Sequence, residues 1–174
     1  MKYESFLKWW LIFTLTTIGF IFSLTTGYAK LIWEKDASYL CAAITIIFIW
    51  FSIYVGATIY KTSKYLDMDE LAYEKFLAKE ELVWFVSDVC LNLGMLGTII
   101  GFVMMLSGFE TLEINNSKSI EALLSQLGKS MATALYTTMV GLVCAQILKI
   151  QNLILGVQLE RFKPKYPKEI DEIK

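Results

Sequence analysis

Residues 83–106 read VWFVSDVCLNLGMLGTIIGFVMML, a run of 24 residues whose single charge, Asp88, lies near its start. A bilayer core of about 30 Å is crossed by about 20 helical residues, so the run is long enough to span a membrane. Within it Gly94, Gly97, Thr98 and Gly101 fall within roughly a third of a turn of one another at 100° per residue. That makes one face narrow, and GTIIG on it is a GxxxG, the pattern that lets two helix backbones approach closely.

Three more apolar segments of similar length flank this one: Trp9 to Tyr28, Tyr39 to Tyr60, and roughly Ser130 to Leu155. Apolar residues make up 56% of the 174, too many for an ordinary soluble globule. Trp9, Trp10, Tyr28, Trp33, Tyr39, Tyr60 and Trp84 lie near segment ends, as interfacial aromatic belts do. The first segment is too long for a signal-peptide core and lacks a small-x-small cleavage site after it, so it reads as a retained anchor. The fold expected is all-α: an integral membrane protein with about four transmembrane helices that extend beyond the bilayer.

Of the basic residues, 12 lie in the N-terminus, the 61–82 connector and the region from Lys149 onward, against 4 in the other two loops: Lys30, Lys35, Lys118 and Lys129. The positive-inside rule then places both termini in the cytoplasm. The connector KTSKYLDMDELAYEKFLAKEE (61–81) spaces Leu66, Leu71, Phe76 and Leu77 among charges, as a helix continuing below the membrane would. In the outer loop, Ser117 or Ser119 can cap a helix that carries Ile120, Leu123, Leu124 and Leu127 on one face. The fourth crossing is therefore expected to begin as helix outside the membrane. Pro164 and Pro167 end it. The organisation expected is two peripheral helices and a connector (1–82), a helix pair with an outer loop (83–163), and a cytoplasmic tail (164–174).

The fourth segment reads SMATALYTTMVGLVCA over 130–145, where Ser130, Ala134, Thr137, Thr138, Gly141 and Ala145 recur every three or four residues. Such a stripe can pack against the third helix or border a wet path. Serine and threonine hydroxyls also bond to their own helix, so packing alone is a sufficient role for either stripe taken singly.

Taken together, LGMLGTIIGF (93–102), an outer loop, and MATALYTTMVGLVCAQI (131–147) resemble the two core helices of the MotA/TolQ/ExbB proton channel family. In that family the first helix reads like LGLLGTVxG and the second like MAxALxTTxxGLxxA. The resemblance covers roughly Leu93 to Ile147. It implies a bacterial inner-membrane protein, five copies of which ring a dimer of single-span partners, each supplying an aspartate that carries the proton. It puts Thr98 and Thr138 on the channel, with Thr137 and Ser130 as further lining. Ala134, Gly141 and Ala145 would serve close helix approach, and Gly94, Gly97 and Gly101 would hold neighbouring subunits together. Two positions depart from subfamily patterns: Leu91 stands where flagellar stator subunits carry proline, and Thr133 where ExbB-like members carry glutamate. The connector is also too short for a rotor-contacting domain.

Apart from Asp88, no acidic residue lies inside a predicted crossing, so a mid-membrane proton carrier has to come from another chain. Asp88 itself, about 80° around the helix from Thr98, is placed at the border of an inner vestibule or at a solvated helix start beside Ser87. There is no histidine, and Cys41, Cys90 and Cys144 have neither CxxC spacing nor a paired base. Metal, cofactor, catalytic site and enzyme activity are accordingly not expected. A net charge of −1 offers no basic face to nucleic acid. The function expected is a ring subunit of an ion-driven motor; the alternative is a structural or holin-like four-helix oligomer.

Overall fold

The computed structural model describes residues 4–27, 39–64, 70–111 and 117–161, and among them it is all helical. The helices are α1 (Glu4–Thr25), α2 (Leu40–Lys64), α3 (Glu70–Ser107) and α4 (Ser117–Arg161), with a 3-10 turn at Gly108–Thr111. All four are long and apolar enough to cross a membrane. The expectations for Tyr28, Lys30, Trp33, Lys35, Leu66, Pro164, Pro167 and the 164–174 tail lie outside the described residues.

In α1 and α2 the threonines that interrupt the apolar runs return their hydroxyls to their own helix. Thr17 donates to the Phe13 carbonyl at 2.8 Å, Thr45 to Cys41 at 2.7 Å and Thr62 to Thr58 at 2.9 Å. This is how a hydroxyl is satisfied where no water competes. The turn after α1 reaches Gly27, whose φ of 80° a residue without a Cβ adopts freely.

Helices α3 and α4 have 38 and 45 residues, roughly 57 and 68 Å at 1.5 Å per residue, against the ~30 Å of a bilayer core. The extension expected from the connector and the outer loop is therefore present. One expectation is corrected: α3 runs unbroken from Glu70, so Ser87 and Asp88 sit in mid-helix and not at a helix start.

Two apolar clusters fix how α2, α3 and α4 run. Val55 and Ile59 of α2 pack with Val83 of α3 and with Leu155 and Leu159 of α4. Ile44 packs with Val86 and Cys90, and with Cys144, Ala145 and Leu148. Residue numbers rise together on α2 and α4 and fall on α3, so α2 and α4 are parallel and α3 is antiparallel to both. Cys41, Cys90 and Cys144 are buried and outside any disulfide, which makes them packed thiols.

α1 packs against this three-helix core through its first half, with Phe6, Trp9 and Phe13 on the Val55–Leu159 cluster. Its Trp9 is buried against Gly56 of α2 and stacks on Phe13 with ring centroids 5.2 Å apart. A Cβ at Gly56 would land on the indole ring. Elsewhere Leu11, Leu15, Ile18 and Phe22 of α1 are exposed and free to face lipid. Gly56→Leu is therefore expected to unseat α1 while leaving the core together. The check is cross-linking of Phe6→Cys to Tyr60→Cys by a short bifunctional thiol reagent, since the native rings at these positions lie 5.7 Å apart. The cross-link should be lost with Gly56→Leu and kept with Gly19→Leu, a position with nothing within 4 Å.

Candidate ion-pathway site on the α3–α4 seam

The small residues of α3 and α4 meet each other within one chain. A Cβ on Gly141 would lie 2.8 Å from the Gly94 Cα and 2.9 Å from the Cys90 carbonyl oxygen; one on Gly101 would lie 2.6 Å from the Ala134 Cβ and 2.8 Å from the Ser130 carbonyl oxygen. A Cβ on Gly97 would fall on the Thr137 side chain. Read in order, Gly94, Gly97 and Gly101 oppose Gly141, Thr137 and Ala134, the register of an antiparallel pair whose backbones almost touch. Of the helix and subunit packing expected of these three glycines, the helix partner is the chain's own α4.

The seam divides the hydroxyl residues into two groups. Ser130, Thr133 and Thr137 are buried within it, at 4%, 1% and 0% exposure. The Thr137 hydroxyl donates to its own helix, with the Thr133 and Ala134 carbonyls at 2.8 and 3.1 Å. Within the chain, Gly97 of α3 lies over the Thr137 side chain and Gly101 over the Ser130 carbonyl. Ala145 is likewise fully buried, against Cys90, Cys144 and Leu148.

Thr138 and Thr98 stand at the edge of the seam, both half-buried. The Thr138 hydroxyl has two acceptors in reach, Ala134 O at 3.0 Å on its own helix and Gly94 O at 3.1 Å across the seam. Gly94 is one turn before Thr98, whose own hydroxyl donates to the Met95 carbonyl. The two threonines thus share one level on one edge, and each hydroxyl keeps lone pairs to offer outward.

Asp88 lies lower on the same helix pair and has a partner that the chain order conceals. Its carboxylate accepts from Lys149 Nζ at 2.8 Å, with Asp88 56% and Lys149 25% exposed. The ammonium also sits 5.5 Å from the centre of the Trp84 ring, and Trp84 Nε1 donates to Glu80 Oε1 at 3.1 Å. Glu80, Trp84 and Asp88 are spaced by one turn each, so they form a polar stripe on α3 that α4 meets with Lys149, with Asn152 Nδ2 donating to the Glu80 carbonyl at 3.0 Å, and with Gly156. Lys149 follows Thr138 by eleven residues, which places it within about 20° of the same line of α4 and about 16 Å farther along.

Residues 55–162, which hold all of this seam, match the sequence model of the MotA/TolQ/ExbB proton channel family. The chain belongs to this family. Neither a curated protein nor a solved structure matches it. Membership makes it a membrane protein of a proton channel family, and the matched span includes the second half of α2 as well as α3 and α4. Of the two departures, Thr133 is buried with its hydroxyl donating to the Lys129 carbonyl of its own helix at 3.2 Å, and Leu91 packs at the rim of the Cys90–Cys144 cluster.

Asp88 was among the candidates in this proton channel family member, but its partner Lys149 was missed by motif reading. Its signal was present in the hydropathy of α4, where Lys149, Gln151 and Asn152 interrupt an otherwise apolar run. What the sequence did not contain was the antiparallel register that brings Lys149 to Asp88.

Proposed function

We propose that this chain is a ring-forming subunit of an ion-driven motor in a bacterial inner membrane, with both termini in the cytoplasm. Five copies surround a dimer of single-span partners, and protons pass between the ring and an aspartate carried by each partner. Residues 83–163 supply the working helix pair, 1–82 the peripheral helices. The subunit itself performs no covalent chemistry and takes no cofactor or metal.

The observation that carries this reading is the edge formed by Thr98 and Thr138, two hydroxyls at one level with glycines directly behind them. A shallow, hydroxyl-bearing wall lets a partner's carboxylate change position without meeting a deep electrostatic trap. We assign Thr98 and Thr138 to the ion path, with Thr137 and Ser130 behind them in the seam. One charge moving through 100 mV releases about 2.3 kcal/mol, which is the work available per ion to turn or shift the dimer.

The Asp88–Lys149 pair favours turning this same edge inward. Charges at membrane depth are expensive unless they face protein or a water-filled space, and Asp88 is more than half exposed in the single chain. An inward edge gives the pair a wet inner vestibule below the threonine level.

The test is the intact mass of the complex purified from its native host, with every co-purifying chain identified. Five copies with two single-span chains, each bearing an aspartate near the start of its span, is the expected result. A homo-oligomer without a second chain would instead favour a structural or holin-like pore.

A further inference from the structure

A polar layer crosses the subunit's own core between its two apolar clusters, on the far side of α4 from the ion path. Gln151 of α4 lies between Leu148 of one cluster and Leu155 of the other, and Ser52 of α2 lies between Ile44 and Val55. Ser87 of α3 lies between Val83 and Val86 on one side and Cys90 on the other. Phe51, next to Ser52, packs against both clusters and marks the level.

Ser87 is satisfied: it is fully buried and its hydroxyl donates to the Trp84 carbonyl at 2.7 Å. Gln151 is equally buried, yet neither its Oε1 nor its Nε2 has a hydrogen-bond partner in the protein, and the Ser52 hydroxyl, 1% exposed, has none either. Exchanging the amide oxygen and nitrogen leaves Gln151 as unpartnered as before, so the assignment of those atoms does not matter. Buried polar atoms are nearly always hydrogen-bonded, to protein or to ordered water.

The register places these two residues opposite each other. Gln158 Nε2 reaches the Ile59 carbonyl at 3.4 Å and the Ser63 hydroxyl at 2.9 Å, which pins α4 to α2 at that level. Because α2 and α4 are parallel, stepping back seven residues on each helix, close to two full turns, carries Gln158 to Gln151, Ile59 to Ser52 and Ser63 to Gly56, so Gln151 faces the Ser52–Gly56 turn of α2, where glycine replaces the serine that Gln158 bonds. Gln151 therefore points at α2 as Gln158 does, but the direct bond made at the lower level is not made at the upper one. Two buried polar groups at one level without a direct bond, in a stretch flanked along α4 by the buried Leu148 and Leu155, suit a bridging water, which needs two to four polar partners.

We propose that Gln151 and Ser52 form an internal water-binding site, in which water bridges the α4 carboxamide to the α2 hydroxyl. The site is separate from the ion path: Gln151 is about 140° around α4 from Thr138. It ties α2 to α4 through an exchangeable link, one heptad from a direct one. The Gln151 carboxamide offers both a donor and an acceptor to the same water.

X-ray radiolysis of the native complex in heavy-oxygen water tests this, since a bound water generates hydroxyl radical where it sits and labels the side chains beside it. Leu148 and Leu155 are the reporters, being 0% exposed and closed to radicals from bulk solvent. The expected result is heavy-oxygen uptake at one or both in the native chain, falling several-fold in Ser52→Ala/Gln151→Leu, whose thermal midpoint stays near native because both ends of the bridge are gone. No uptake at either leucine in the native chain, or equal uptake in the double variant, would overturn the proposal. If the double variant does not assemble, the native measurement decides alone, and Ser52→Ala by itself is expected to lower the uptake.

Discussion

Gly141→Leu is expected to separate α3 from α4 and to eliminate the assembled complex. A single Cβ at this position already lies 2.8 Å from the Gly94 Cα and 2.9 Å from the Cys90 carbonyl oxygen, and both are backbone atoms that cannot swing aside. Overpacking a well-filled core typically costs 1–3 kcal/mol, and here the extra atoms force two helix axes apart, so about 3 kcal/mol is expected. Thermal unfolding and complex yield in detergent provide the measurement, with Gly128→Ala as the control. Gly128 is on the same helix with nothing within 4 Å of its would-be Cβ, and alanine there should be neutral or stabilise by about 0.5–1 kcal/mol through helix propensity. A native yield and midpoint for Gly141→Leu would mean that the seam is not the contact that holds the pair.

Thr138→Val should abolish proton flux while leaving assembly intact. Valine keeps the shape of threonine and loses only the hydroxyl, whose single proton is shared between Ala134 O and Gly94 O. Inter-helix hydrogen bonds within membranes contribute only about 0.6 kcal/mol on average, and both carbonyls also accept within their own helices, so the structural cost is small. Loss of flux in reconstituted vesicles at a native complex yield would assign the hydroxyl to the ion path. Undiminished flux would remove Thr138 from it.

The α3–α4 pairing was legible in the sequence because a close helix contact requires small residues at helical spacing on both partners. Gly94, Gly97 and Gly101 on one helix and Ala134, Thr137 and Gly141 on the other satisfy that requirement. The difference between Thr137 and Thr138 was not legible. Adjacent residues point about 100° apart, and which of them enters the seam depends on the rotation of α4 against α3, which only the packed glycines fix. The pairing of Asp88 with Lys149 was hidden for a related reason: sixty-one positions separate them, and the loop between gives no register. Counting Lys149 among residues beyond the fourth crossing was reasonable on charge alone, because an unpaired lysine is seldom found in a span. Gln151 was passed over because one amide in an apolar helix is uninformative until its neighbours are known to offer it nothing.

The unbroken length of α4 gives the chain a mechanical property as well as a chemical one. A helix of 45 residues is a stiff rod of roughly 68 Å, more than twice the thickness of the layer it crosses. Its midpoint falls at Met139, beside Thr138. Any tilt that originates at the threonine level is therefore magnified equally toward both ends. A rocking of about 5° about that fulcrum carries each tip sideways by about 3 Å, enough to make or break a contact on either side of the membrane. The residues nearest the pivot move least, so the polar edge can stay in place while the extremities of the rod report what happens there.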